Sequence, residues 1–195
     1  MDTAATTTRD QLVQHAQTLI RKRGCNGFSY RDLADHVGVK TSSIHYYFPT
    51  KDDLLLEAIE SYASASALRR SAIDTALPAD QKLRLFLGSL EENLRSGNLL
   101  CLGGALAADF ECVPGPVQKA IAAFFLDNER WLTQTFVEGR EQGTLRVVAD
   151  PATTARVLFA ALQGSTMTSR LFGDYGRVSE MFDLFASTDG TASSE

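Results

Sequence analysis

The chain has 195 residues, 44% hydrophobic and 22% charged, with 5 prolines and 14 glycines. That is enough to bury one good core or two small ones, and it is too apolar for a disordered chain. No segment of convincing length alternates apolar and polar residues, and Leu and Ala recur at helical spacing, so sheet-rich classes lose their support and an all-α protein is expected. The longest apolar stretch, Leu99 to Ala108, is shorter than the roughly 18 to 20 residues a membrane span needs. The start, MDTAATTTRD, has neither a basic nor an apolar leader region, so no secretory signal is expected.

Charge is unevenly distributed. Residues 1–51 hold seven Lys/Arg and four Asp/Glu, whereas residues 52–195 hold twelve and twenty. The basic end is the part suited to a polyanion, and the acidic remainder is repelled by one. Cys25, Cys101 and Cys112 are odd in number and lack CxxC or Cys/His metal spacing, which argues against a disulfide framework, a metal or a cofactor and for a reducing cytoplasm.

The first helix carries Leu12, Val13, Ala16, Leu19 and Ile20 on one stripe and closes with Arg21, Lys22 and Arg23 before Gly24; those cations suit its negative end. After Asn26-Gly27, Ser29 with Asp32 reads as a capping box opening a second helix, with Leu33, Ala34 and Val37 facing inward and Gly38 ending it. A third helix starts near Thr41, buries Ile44 and Phe48, and stops at Pro49. Thr50 with Asp53 repeats the capping box before a longer fourth helix striped by Leu54, Leu55, Ala58, Ile59 and Tyr62.

Two short helices joined at Gly38 have the dimensions of a helix-turn-helix, in which Gly38 supplies a positive φ and Ile44 locks the pair. The outer face of the second presents Lys40, Thr41, Ser42, Ser43, His45, Tyr46 and Tyr47, with no carboxylate until Asp52. Hydroxyls and cations there suit phosphates and base edges in a major groove, whereas carboxylates would be repelled.

The segment GFSYRDLADHVGVKTSSIHYYFPTKDDLL resembles the DNA-binding domain of the tetracycline-repressor (TetR/AcrR) family of bacterial transcription regulators. The likeness runs from about Arg9 to Tyr62. It implies a helix-turn-helix over residues 29–48, with Ser29 capping the helix that touches the DNA backbone. By position, Thr41, Ser42, Ser43, His45 and Tyr46 face the groove, Tyr46 and Tyr47 reach phosphates, and Lys51 adds a phosphate contact at the positive end of the fourth helix. Many family members have Lys-Gly where this chain has Thr41-Ser42, and an aromatic where it has His45, so base contacts do not transfer.

On these grounds the domain boundaries are expected at 1–51 (DNA-binding), 52–77 (linking helix) and 78–195 (ligand-binding and dimerisation). In the last part Leu83, Phe86, Leu87, Leu90 and Leu94 form a stripe ending at Gly97, and an apolar helix, Leu102 to Phe110, precedes the VPGP turn. A long helix is expected from Pro116 to about Gln142, capped by Gly143, and another from Asp150-Pro151 to Phe172 that mixes bulky residues with Ala160, Ala161, Gly164 and Ser165. The resemblance implies that these last two helices pack against their symmetry mates, so residues 117–142 and 151–172 are the expected homodimer seam. The tail after Ala186 is small and polar and is expected to fray.

No nucleophile elbow, phosphate-cradling glycine loop or metal-spaced helix is present, so catalysis is not expected. The phenylalanines between 86 and 136 and Trp131 read first as core. Within a sensor domain Phe86, Leu90, Cys101, Phe110, Phe124 and Phe125 are the residues assigned to a small-molecule effector. Cys101 has two open readings, a thiol activated at the start of a short helix or a small buried hydrophobe. Cys25 and Cys112 are expected to pack, Glu91 and Glu92 to be solvated and His36 to lie on the surface. The resulting expectation is a cytoplasmic, homodimeric repressor released from a pseudo-palindromic operator by a small molecule; the alternative is a helical ligand-binding or interaction module that no longer reads DNA.

Overall fold

The computed structural model describes residues 7–187. The expectation of a frayed tail, and part of the leader argument, fall on residues 188–195 and 1–6, outside the described residues. Within them the chain is all-helical: α1 (Thr8–Arg23), α2 (Tyr30–Val37), α3 (Thr41–Tyr47), α4 (Lys51–Ser71), α5 (Ala79–Gly97), α6 (Leu102–Ala108), α7 (Gly115–Gln142) and α8 (Pro151–Phe172), with 3-10 turns at Phe110–Cys112, Tyr175–Arg177 and Ser179–Leu184. An isolated antiparallel bridge joins Leu145 to Ala186. No helix among the described residues is long and apolar enough to cross a membrane.

The helix ends follow from local chemistry. Capping boxes open α1 at Thr7/Asp10 and α2 at Ser29/Asp32, and Thr50 and Asp53 exchange the same bonds before α4. Each satisfies backbone N–H groups that the first turn would otherwise leave unpaired. Gly38 takes the left-handed conformation, φ 76° and ψ 34°, and its N–H returns to Ala34 O. Asp150 caps α8 by accepting the N–H of Thr153 at 2.9 Å, with Pro151 in the first helical position.

Packing divides the described residues into two compact units: those up to Ala67 together with Leu100–Phe124, and Leu68–Leu99 together with those from Phe125 onward. In the first, α1 buries Leu12, Ala16 and Ile20, while Leu33, Ile44, Phe48, Leu54, Ile59, Leu102 and Leu106 are also buried. Arg21 Nε donates to Leu100 O at 2.6 Å, and the N–H of Cys25 donates to Asp109 Oδ2 at 2.7 Å, so the segment around α6 is tied to α1 and the turn after it.

In the second unit Leu83 and Leu87 of α5, Leu132 and Phe136 of α7, and Leu158 and Leu162 of α8 are buried. Lys82 pairs with Glu138 at 2.7 Å, Ala79 N–H donates to Gln142 Oε1 at 2.9 Å, and the Phe86 and Trp131 rings lie 5.1 Å apart. Arg70 is buried, pairs with Asp127 and donates to Asn128 Oδ1 at 2.7 Å.

Three expectations are corrected. The apolar helix read as Leu102 to Phe110 stops at Ala108, because Asp109 turns its side chain to Cys25; Phe110 begins a 3-10 turn and is 52% exposed. Cys112, at the end of that turn, is exposed rather than packed. Glu91 is not solvated: its side chain is 17% exposed and accepts from Arg95 and Ser179, because the 3-10 segment Ser179–Leu184, which periodicity does not reveal, packs on α5.

Candidate nucleic-acid interface

The outward face of α3 is built by what its inward face buries. Ile44 is fully buried and Phe48 nearly so, which fixes the helix rotation and turns Thr41, Ser42, His45, Tyr46 and Tyr47 to solvent, with Ser43 half-buried. Tyr46 is 82% exposed and Tyr47 37%, and their rings meet edge to face at 5.2 Å. Lys40 stands exposed at the N-cap, its carbonyl accepting the Ser43 N–H at 2.9 Å. No acidic residue lies in the first turn of α3. A solvent-facing large aromatic beside four hydroxyl side chains is a surface suited to stacking, hydroxyl–phosphate and base-edge contacts.

Ser29 is exposed, but its hydroxyl donates to Asp32 Oδ2 at 2.6 Å and its N–H to the same oxygen at 2.7 Å. Those bonds hold the Asp32 carboxyl below the usual carboxylate range. Lys51 sits apart from α3's face: Nζ donates to Phe28 O at 2.9 Å and lies 4.4 Å from the Phe28 ring centre. An ammonium has three N–H donors, so this contact anchors the side chain without using all of them. The N-terminus of α4 also carries Asp52 and Asp53 in its first turn, so its dipole already faces carboxylates.

Sequence reasoning missed Tyr30. Its hydroxyl lies 2.9 Å from Phe48 O and 2.6 Å from Thr50 O, clamping the first turn of α2 to the end of α3, and its ring lies 4.8 Å from that of His45. Burial first, then Asp53 and Asp52, push the phenol up to about 12. His45 Nδ1 lies 3.4 Å from Pro49 O. Arg9 was also missed: it pairs with Glu57 at 2.7 Å and lies 5.2 Å from the Phe48 ring. An aromatic at the first position of a capped helix was the available signal for Tyr30; for Arg9 there was none.

The residues assigned to an effector fall in both units. In the first, Phe124 is buried with its ring 5.6 Å from Tyr62, Phe110 is exposed, and Cys101 is the half-buried N-cap of α6. In the second, Phe86 is buried on Trp131, Leu90 is half-buried, and Phe125 meets Phe159 edge to face at 5.1 Å. On α8 the exposed residues Val157, Ala160, Ala161, Gly164, Met167 and Leu171 recur at helical spacing, and Phe172 at the end is exposed too. No group of three or more His, Cys, Asp or Glu among the described residues is placed to hold a metal.

Comparison with known proteins places these features in a family. Residues 12–58 match the model described as "Bacterial regulatory proteins, tetR family", and residues 81–185 match "Tetracyclin repressor-like, C-terminal domain". A transcriptional regulator of the TetR family from Agrobacterium tumefaciens superposes with a TM-score of 0.87 at 26% identity, covering 92% of this chain and 97% of that one. A TetR transcriptional regulator from Legionella pneumophila gives 0.84 at 28% identity, covering 94% and 98%. The HTH-type transcriptional repressor KstR2 of Mycolicibacterium smegmatis is 32% identical over 85 residues, 43% of this chain and 42% of the relative, so the likeness spans less than half of that curated protein.

Proposed function

The chain belongs to the tetR family of bacterial regulatory proteins and is a DNA-binding transcriptional regulator, and from that premise we propose that it is a homodimeric repressor released from a pseudo-palindromic operator by a small molecule. The observation that carries the DNA reading is α3's exposed, acid-free face, with Tyr46 held open to solvent by the burial of Ile44 and Phe48. Thr41, Ser42, Ser43 and His45 meet base edges, Lys40, Tyr46, Tyr47 and Lys51 meet phosphates, and Ser29 sets the end of α2 against the backbone.

Homodimerisation is supported by the exposed stripe on α8, where Leu171 is 75% and Phe172 63% exposed, together with Leu126 on α7. A monomer gains nothing by leaving those side chains in water. The effector reading assigns Phe86, Leu90 and Phe125 of the second unit, and Cys101, Phe110 and Phe124 of the first, as side chains to probe. Release is supported by the Asp109–Cys25 and Arg21–Leu100 bonds, which couple movement of the α6 segment to the turn before α2. The domain division of 1–51, 52–77 and 78–195 remains part of the proposal.

The test is selection of binding sites from a random duplex pool. A recovered inverted repeat with half-sites about one DNA turn apart, about 34 to 36 Å, supports the reading. Retention of no duplex at moderate salt overturns it in favour of a helical module that has lost DNA binding. A screen for small molecules that release the recovered site then tests the effector.

A further inference from the structure

The first unit contains a pocket that the DNA-reading face does not use. Gln11, Gln14, His15 and Thr18 stand on one face of α1, and His36 and Val37 of α2 close it, around a volume of about 530 Å³. In its wall the imidazoles of His15 and His36 stack in parallel, 5° between planes and 3.4 Å between centres. No carboxylate lines this pocket. Its available donors are the two glutamine amides and two rings that each carry an N–H, the Thr18 hydroxyl already donating to Gln14 O at 3.1 Å.

The surrounding charge is mostly positive. Lys22 stands one turn beyond Thr18 on α1; burial first, then His36, Lys22 and Arg23, oppose a positive charge on His15. The carboxylate acting the other way is Asp32 on α2, which the Ser29 capping bonds keep ionised. The helix α6, which also packs on α1, consists of LGGALAA and has no titratable side chain. Two imidazoles in van der Waals contact cannot both be charged cheaply unless an anion stands beside them.

We propose that this α1–α2 pocket is an oxyanion site that takes a phosphate group, and that its occupation protonates the stacked His15–His36 pair. The amides of Gln11 and Gln14 and the outer ring N–H groups hold the phosphate oxygens, while Lys22 and Arg23 supply the field. The volume exceeds that of a bare phosphate and leaves room for the rest of a phosphomonoester or for a stretch of DNA backbone. Linkage makes the effect reciprocal: phosphate favours the imidazolium forms, and lower pH tightens phosphate.

The experiment follows the histidine ring C–H resonances of the full chain from pH 5 to 8, replacing sodium chloride by sodium phosphate at constant ionic strength. His15 and His36 should move their midpoints upward together, by about half a unit or more, while His45 moves less. In His36→Gln the response of His15 should disappear, and His15→Gln, checked by circular dichroism, gives the reciprocal test. If free phosphate moves neither ring but a duplex of the selected sequence moves both, the phosphate is that of DNA, and His36→Gln should also reduce the salt dependence of binding. If neither phosphate nor duplex moves the pair, or if His45 shifts equally, the proposal is wrong. The free-phosphate arm requires no operator, so it fails or stands separately from the repressor reading.

Discussion

Asp109, immediately after α6, accepts the backbone N–H of Cys25 at 2.7 Å across 84 residues of sequence. The same carboxylate oxygen lies 2.7 Å from where a side-chain carbon on Gly24 would stand, and Gly24 sits at φ 79°. Burial first, then the bond to Asp109, push the Cys25 thiol up to about 11. The turn between α1 and α2 is therefore shaped around a side chain supplied by the α6 segment. Asp109→Ala leaves a buried N–H unpaired, a loss of about 1–3 kcal/mol, and should lower the melting midpoint by about 2–4 °C for each kcal/mol in a chain of this size. It should also blunt effector-driven release from DNA. A variant with unchanged melting and unchanged release would remove this bond from the coupling argument.

For Lys51, the Phe28 contact changes what its removal tests. Lys51→Ala should weaken specific and random DNA alike and flatten the salt dependence by about 0.9 units of slope per subunit. It should also lose the ring contact over Phe28 and melt slightly earlier. Ser43→Ala and His45→Ala should instead alter which bases are selected. A folded Lys51→Ala protein with the original salt slope would assign the lysine to holding Phe28 alone.

Tyr30 gives the helix-turn-helix an alkaline limit. Its phenol is neutral in the folded state up to about 12 against an ordinary 10. The folded protein thus binds this proton more tightly than the unfolded chain, and the associated stability is complete below pH 10 and lost as pH rises to 12. Denaturant midpoints measured across that window should fall. In Tyr30→Phe the midpoint at neutral pH should be lower, because the bonds to Phe48 O and Thr50 O are gone, and the alkaline fall should be smaller. An equal alkaline fall in both proteins would place the titration elsewhere.

What the sequence disclosed was local. The Ser29–Asp32 box, the Gly38 turn and the Asp150-Pro151 start are each written within four residues, and α8 runs from Pro151 to Phe172 as expected. The outward face of α3 was legible because Ile44 and Phe48, four apart, show which side is buried. Partners distant in sequence were not. Tyr30 reaches across 18 and 20 residues to two carbonyls, and Glu91 meets Ser179 across 88. Such pairs have no period, and the 3-10 segment Ser179–Leu184 is held by its packing on α5 rather than by a capping signal.

Gly164 offers the cleanest test of the dimer. A carbon added there meets nothing within 4 Å, so Gly164→Arg is accommodated by the folded chain and puts a long cation into the exposed α8 stripe. In helix conformation the replacement of glycine should leave the monomer at least as stable. An arginine at a helix pair packed through small residues prevents close approach, and a partner's equivalent arginine repels it across a symmetric seam. Light scattering should therefore report a monomer with an unchanged helical spectrum. Its affinity for an inverted repeat should fall by about 100-fold or more, because the second half-site no longer benefits from tethering, while binding to a single half-site stays close to that of the parent. A variant that remains dimeric by light scattering would move the seam off α8, and one that loses its helical spectrum would mean that the stripe is buried within the subunit itself.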